Sequence, residues 1–341
     1  MLHELQKIIK DFQDAQGTGS KAVLASVVAL DGSSYRRPGV RMLILENGKM
    51  TGAVSGGCVE KEVLLQAQSV FKDGNTKIMT YDGRYRLGCE GIIYILLEPF
   101  QPTSELITTF QQFTDARKKF SIKSYYSKTE TGSMGSVFAF SEVKNFPVSQ
   151  AFTTEKAFPP TVFTEVLKPA QKLIIFGTEH DAVQLCSYAA MTGWEVSIVA
   201  SQTDPRTIEN FPGAKNLFNY SPEEVAKLKV DQQTALLLMT HNFATDLNYL
   251  INLKNARSAY LGLLGPSKRR EKLLGECMER LPELDPEFFD QIHGPAGLNI
   301  GAETPQEIAI SILAEILAVI RNQTPMPLNK KEGTIHSGIK L

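Results

Sequence analysis

Apolar residues recur at the start of the chain as Leu2, Leu5, Ile8, Ile9 and Phe12, the three-and-four spacing of one helix face. The pattern then changes. Ala22 to Leu30 is a nearly continuous apolar run suited to a buried strand, and Asp31-Gly32-Ser33-Ser34 breaks it. Val40 to Leu45 and Lys49 to Val54 flank Asn47-Gly48, a strong hairpin signal. After Ser55-Gly56-Gly57 helical spacing returns, with Val59, Val63, Ala67 and Val70 on one face and Leu64 and Phe71 widening it. Lys77 to Tyr81 and Ile92 to Glu98 read as strands, with Asp82-Gly83 as a turn and Pro99 as a stop. Ser104 to Phe120 reads as a helix, followed by two polar strands around Thr131-Gly132. Residues 144–170 carry prolines at 147, 159, 160 and 169 and little periodicity, which places a domain boundary there.

Beyond that boundary the rhythm is strand, loop, helix. Lys172 to Phe176 is a short apolar strand ending in Gly177-Thr178-Glu179-His180-Asp181. A helix with Ala182, Leu185, Tyr188 and Ala189 runs to Gly193, and Glu195 to Val199 is the next strand. That opening is what a doubly wound parallel sheet requires. Ala235 to Met239 runs into Thr240-His241-Asn242 and a helix through Leu247 and Leu250, and Ala259 to Leu264 runs into Gly265-Pro266-Ser267-Lys268-Arg269-Arg270. A glycine-rich loop from His293-Gly294 to Gly301 precedes a helix whose start is well specified: Thr304 as N-cap, Pro305 at the first position and Glu307 in a capping box. Ile308, Ile312, Ile316 and Val319 should form its buried stripe, and the polar tail after Arg321 should fray. The expected fold is α/β: an N-terminal α+β domain over residues 1–165, with its motifs in 1–100 and an extension and linker over 101–165, then a Rossmann-like doubly wound domain over 166–341.

Composition narrows the class. A chain of 341 residues exceeds one ordinary core, and 43% hydrophobic with 21% charged residues is the mix of a soluble globular protein. The net charge of −1 and scattered basic residues give no reason to expect nucleic acid, and no apolar run approaches a membrane span. Four widely spaced cysteines make neither a disulfide framework nor a zinc pattern, which points to a reducing cytoplasm.

Two stretches carry candidate chemistry. In the first, Ser55-Gly56-Gly57-Cys58-Val59-Glu60 delivers a thiol to a helix start, close in sequence to Arg36, Arg37, Gly39 and Arg41 and to a second cysteine loop, Gly88-Cys89-Glu90-Gly91. Glycine amides and a helix N-terminus favour anions, and a thiol there loses its proton more readily. Buried cysteine is also often only a small hydrophobe, so each loop has a plain packing alternative. In the second half, Glu179 stands where a dinucleotide fingerprint needs glycine, and Val199 runs into Ala200-Ser201 with no ribose-binding acid before Asp204. His180, His241 and His293 follow or lie close to strand ends, where a crevice would form, though each could equally cap a helix or bond a carbonyl. Lys268-Arg269-Arg270 has the same two readings, a phosphate grip at a helix start or a solvated face.

Taken together, the motifs resemble the XdhC/CoxI family of xanthine dehydrogenase accessory proteins. The resemblance rests on Gly32-Ser33-Ser34-Tyr35-Arg36-Arg37-Pro38-Gly39, Ser55 to Glu60, the Gly88-Cys89 loop before Leu96-Leu97-Glu98-Pro99, His180-Asp181-Ala182, Gly193-Trp194, Met239-Thr240-His241, Leu261 to Gly265, His293 to Leu298 and Glu303 to Ala309. The chain departs from the family pattern at Ser55, Glu90 and Glu179. The resemblance implies a chaperone rather than a turnover enzyme. It would bind the molybdenum cofactor (molybdopterin), hold it while a cysteine desulfurase supplies its sulfido ligand, and deliver it to a xanthine dehydrogenase-type molybdenum hydroxylase. On that reading the cofactor-binding residues are Arg36, Arg37, Gly39, Gly56, Gly57, Cys58, Glu60 and Cys89, with Gly177, His180, Asp181, His241, His293 and Gly294 from the second domain. Cys58 or Cys89 would be a soft ligand to molybdenum, and Glu60 would orient the pterin's amines or cap its helix. The competing expectation is a nicotinamide-dependent oxidoreductase using a nucleotide in the second domain. A homodimer is expected only as the commonest oligomer.

Overall fold

The helical spacing at the start of the chain becomes α1 (Leu2–Gln16), which buries Leu2, Leu5, Ile8, Ile9 and Phe12. The computed structural model describes residues 2–17, 19–32, 37–57, 59–83, 91–129, 133–154 and 161–333, and the chain divides into two units, Met1–Pro169 together with Lys331–Leu341, and Ala170–Lys330.

In the first unit β1 (Ala22–Gly32) is buried over its first seven residues. β2 (Arg41–Leu45) and β3 (Met50–Gly52) form the hairpin on Asn47-Gly48. α2 (Glu60–Asp73) leads to β4 (Lys77–Asp82) and β5 (Gly91–Pro99). The antiparallel sheet has the order β3-β2-β1-β5-β4. Val23, Ala25 and Val27 of β1 pack with Val59 and with Val63, Ala67 and Val70 of α2, so alternation in the strand meets helical spacing in one core.

α3 (Ser104–Asp115) is N-capped by Thr103. The helix stops short of Phe120 because Arg117 turns left-handed at φ 51° and Lys118 N donates back to Phe113 O. Phe120 instead opens β6 (Phe120–Tyr126), joined by β7 (Gly135–Ala139), β8 (Asn145–Pro147) and β9 (Thr161–Leu167) in a second antiparallel sheet of order β8-β7-β6-β9. The stretch that reads as a linker therefore supplies two strands. Its periodicity is hidden because β9 turns Glu165 and Leu167 inward while Val162 and Val166 face out. Val28, Ile78, Tyr94 and Leu96 of the first sheet pack with Tyr126 of β6 and with Met134.

The second unit contains β10 (Lys172–Phe176), α4 (His180–Met191), β11 (Glu195–Ala200), β12 (Ala214–Asn219), β13 (Thr234–Leu238), α5 (Phe243–Asn252), β14 (Tyr260–Leu263), α6 (Ser267–Arg280), α7 (Pro286–Asp290), β15 (Ile292–His293) and α8 (Pro305–Ile320). The parallel sheet runs β12-β11-β10-β13-β14-β15, with its topological switch between β10 and β13. α4 and α8 cover one face, α5 and α6 the other. α8 starts as its sequence specifies, with the capping box between Thr304 and Glu307 in place. Its buried stripe is rotated from expectation onto Ala309, Ile312, Leu313 and Ile316, and Val319 in the last turn is exposed. No helix among the described residues is long and apolar enough to cross a membrane. Of the polar tail, residues 334–341 lie outside the described residues.

Candidate functional site

Antiparallel order brings the first unit's motif loops to one edge. β1 ends there at Gly32, β2 starts at Arg41, β3 ends at Gly52, β4 ends at Asp82 and β5 starts at Gly91. The described ends of β1, β3 and β4 and the starts of β2 and β5 thus lie at the same end of the sheet, where α2 also begins. Gly32 pairs directly with Gly91, and Gly83 N donates to Gly91 O at 3.1 Å across the mouth of segment 84–90. Arg36, Cys58 and Cys89 lie outside the described residues. Arg37 is half-buried, and Gly39 is buried at φ 101° with its N–H on Val27 O at 2.8 Å.

The turn before α2 is organised by Ser55. Its hydroxyl accepts from Gly57 N (3.1 Å) and Val59 N (3.2 Å) and donates to Glu60 Oε2 (2.6 Å), while Ser55 N donates to Glu60 Oε1 (2.7 Å). Burial acts to raise the Glu60 carboxyl, but the hydrogen bonds from Ser55 outweigh it and hold it below the usual carboxylate range. Both Glu60 oxygens are engaged in closing the turn. Gly56 and Gly57 are exposed, and a Cβ on either would meet no atom within 4 Å. Arg41 is removed as an anion ligand: it is buried and paired with Glu165. A cavity of about 560 Å³ lined by Phe12, Lys21, Phe71, Lys72 and Phe100 lies at the opposite end of the sheet, where β1 begins and β5 ends.

In the second unit the switch point gathers Gly177, Glu179, His180 and Asp181 after β10 and Thr240 and His241 after β13. Gly177 sits at φ 136°, and a Cβ there would lie 2.4 Å from Met239 O, so this glycine serves strand contact. Glu179 is the N-cap of α4 and pairs with Arg206 at 3.2 Å. Asp204, the late acid after β11, accepts from Thr178 Oγ1 and pairs with Arg206 at 3.1 Å. Burial acts to raise the Asp204 carboxyl, and the bonds from Thr178 and Arg206 override it and lower it. Asp181 lies 3.6 Å from His241 Nε2, and His180 is exposed at the first position of α4.

The three histidines do not share one loop cluster. His293 lies within β15, two strands from β13, stacked on Tyr260 (centroids 4.5 Å apart) with Nδ1 3.4 Å from Glu315 Oε1. Tyr260 Oη and Gly297 N both donate to Glu315 Oε2, at 2.5 and 2.8 Å. Gly294 is packed on Arg270, whose Cδ would stand 2.9 Å from a Cβ there. The basic run in the first turn of α6 is structural at two of its positions: Arg269 holds fully buried Asp246 at 2.8 Å, and Arg270 donates to Ile292 O at 3.1 Å.

Sequence reasoning missed Glu165, Arg206, Asp246 and Glu315. Each meets partners more than 20 residues away, which local pattern does not reveal, although Glu315 within an otherwise apolar helix was a visible anomaly. The two remaining cysteines, Cys186 and Cys277, are buried in the cores, and burial pushes the Cys186 thiol up to about 11, the state of an inert packing residue.

The chain is similar to known proteins in sequence and in fold. Residues 15–82 match the model described as the XdhC and CoxI family, and residues 173–316 match the XdhC Rossmann domain. The chain is 29% identical over 317 residues to a probable xanthine dehydrogenase subunit of Bacillus subtilis (strain 168), covering 87% of this chain and 92% of that protein. It is 26% identical over 323 residues to the molybdenum cofactor insertion chaperone PaoD of Escherichia coli (strain K12), covering 93% and 89%. A crystal structure from Bacillus halodurans, described as a xanthine dehydrogenase, matches with TM-score 0.76 at 27% identity, covering 93% of this chain and 96% of that one.

Proposed function

The chain belongs to the XdhC and CoxI family, and from that premise we propose that it is a maturation factor which binds the molybdenum cofactor as cargo and hands it to a xanthine dehydrogenase-type molybdenum hydroxylase. The names of two relatives, one a cofactor insertion chaperone and the other a probable xanthine dehydrogenase subunit, support the cargo and the client class. The observation that carries the reading to particular residues is that Gly32, Arg41, Gly52, Asp82 and Gly91, the strand ends flanking the motif loops, lie at one end of the sheet, with Gly56 and Gly57 exposed beside the start of α2. That edge fits the cargo's chemistry. A pterin phosphate suits glycine amides, a helix N-terminus and Arg36 or Arg37, and a molybdenum dithiolene is soft enough to accept thiolate from Cys58 or Cys89. The thiol would act as a holding ligand while a cysteine desulfurase supplies sulfur. Ser55 and Glu60 would fix the turn that presents it.

The second unit supports a rival reading, an oxidoreductase using a nicotinamide nucleotide, through its strand order alone. Against it, Glu179 at the N-cap and Asp181 in the first turn of α4 stand where a pyrophosphate would have to rest. Anaerobic purification from a cofactor-rich host, followed by release and oxidation to a fluorescent pterin, tests the proposal. Wild-type protein should carry pterin and Cys58→Ala should carry much less. Equal pterin in both removes Cys58 from the site, and saturable NADH binding with hydride transfer in a pterin-free protein replaces the reading with its rival.

A further inference from the structure

We propose that the second sheet of the first unit is a brace for the two described ends of the arginine loop, Asp31–Gly32 on one side and residues 37–40 on the other, with Glu165 and Lys128 as its positioning residues. The functional part of this proposal rests on the reading of that loop as one wall of the cofactor site. The loop leaves β1 at Gly32 and joins β2 at Arg41. Each foot is tied to the second sheet by an ion pair, and the two pairs have opposite sense.

At the first foot, Lys128, just beyond β6, reaches Asp31 Oδ2 at 2.6 Å, and Tyr94 Oη donates to the same oxygen at 2.9 Å. The Lys128 ammonium also lies 4.5 Å from the Tyr94 ring centroid. Both charged side chains are about half exposed, at 46% and 48%, so this tie is weak. At the second foot, Arg41 Nη1 donates to Glu165 Oε2 of β9 at 2.5 Å, with the side chains 5% and 0% exposed. The same nitrogen donates to Gly39 O at 2.9 Å, so one guanidinium group joins the second sheet to the last turn of the loop. Gly39 is shaped for this: a Cβ there would lie 3.0 Å from Glu165 Cδ. Gly39 N on Val27 O (2.8 Å) and Val27 N on Val40 O (2.9 Å) complete the seat.

Stability alone does not account for the buried pair. Arg41 Nε and Nη2 and Glu165 Oε1 are buried without a hydrogen-bond partner among the described residues. A buried ion pair so incompletely satisfied contributes less than well-packed apolar residues of the same volume would. What apolar side chains cannot supply is a directional bond that fixes the Gly39 carbonyl, and with it residues 37–40 at the start of β2.

The test uses the full chain and three variants: Glu165→Gln, the apolar pair Arg41→Met with Glu165→Leu, and Lys128→Ala. Amide exchange at Gly39, Val40 and Val27, retained pterin per folded protein and the midpoint of thermal unfolding are read together. In Glu165→Gln, protection at Gly39 and Val40 should fall about tenfold against an unchanged Leu96 in β5, with a matching loss of pterin. The apolar pair should recover the wild-type midpoint while recovering neither loop protection nor pterin. Lys128→Ala should lose only about twofold. Full recovery of loop protection and pterin in the apolar pair would overturn the brace. Absence of pterin from wild-type protein would instead sink the cofactor reading, and the brace would then be decided by exchange at Gly39 alone.

Discussion

The two units present two edges of different character. At the strand ends of the second unit the chain answers its own charges: Glu179 with Arg206, Asp181 with His241, and Asp246 with Arg269 and Thr240. Its glycine at 177 is pressed against Met239. At the loop edge of the first unit, Glu60 and Ser55 close a turn upon themselves and leave Gly56 and Gly57 facing open space, while the Arg41–Glu165 ion pair lies buried between the sheets. A doubly wound sheet fixes the place of a crevice but not the ligand that enters it. The groups described at the second unit's crevice are paired with one another, whereas a Cβ added at Gly56 or Gly57 of the first unit would meet no atom within 4 Å.

The hardest way to strain this comparison is to remove a partner from the closed edge. Asp246 accepts from Thr240 N (3.2 Å), Thr240 Oγ1 (2.7 Å) and Arg269 Nη2 (2.8 Å) and is wholly buried. Asp246→Ala leaves a largely buried guanidinium without its carboxylate, which should cost about 3–5 kcal/mol in urea unfolding. Pterin retained per folded molecule should not change. A loss of pterin at unchanged stability would show that the second edge is part of the site after all.

The first unit is open at its edge but not throughout, and Glu98 sharpens that point. This carboxyl of β5 is fully buried, and burial pushes it up to about 7 against the pull of the Ser136 hydrogen bond and the Arg41 charge. Below its ordinary value of 4.5 both folded and unfolded chains hold the proton, and Glu98 makes no difference. From 4.5 to about 7 the unfolded chain releases the proton while the folded chain keeps it, so stability falls as pH rises and levels off above that range. The total should be about 3 kcal/mol. Glu98→Gln cannot ionise, so the difference in unfolding free energy between variant and wild type should grow across that window. Parallel pH curves would mean that Glu98 is charged in the fold.

These contrasts also show where the sequence was readable. The Asn47-Gly48 hairpin and the Thr304–Glu307 capping box are made by neighbours in the chain, and both stand as their residues specify. The parallel sheet followed from apolar strands alternating with helices. Glu165 was hidden because a charged residue in a proline-rich stretch gives no sign of a partner 124 positions earlier. His293 was partly legible: its closeness to a strand end could be read, and it closes β15, while its partners Tyr260 and Glu315 are distant in sequence and could not. Glu60 allowed two roles until its geometry put both oxygens on Ser55.

The smallest expected effect discriminates most finely, because it sets one glycine from each edge against the other. An alanine at Gly177 would adopt φ 136° and place its Cβ 2.4 Å from Met239 O and 2.8 Å from Met239 C, backbone atoms that cannot swing aside. The strand end must shift, at a cost of about 2 kcal/mol. An alanine at Gly56 meets nothing within 4 Å, so unfolding should move by no more than about 0.5 kcal/mol. Its methyl group, however, occupies the space into which the proposed cargo must come. Gly177→Ala should therefore lower the denaturation midpoint and keep its pterin per folded molecule, and Gly56→Ala should keep the midpoint and lose pterin. If both variants lose stability and neither loses pterin, the openness of the first edge is unrelated to binding, and the site must be sought among segments 33–40 and 84–90 alone.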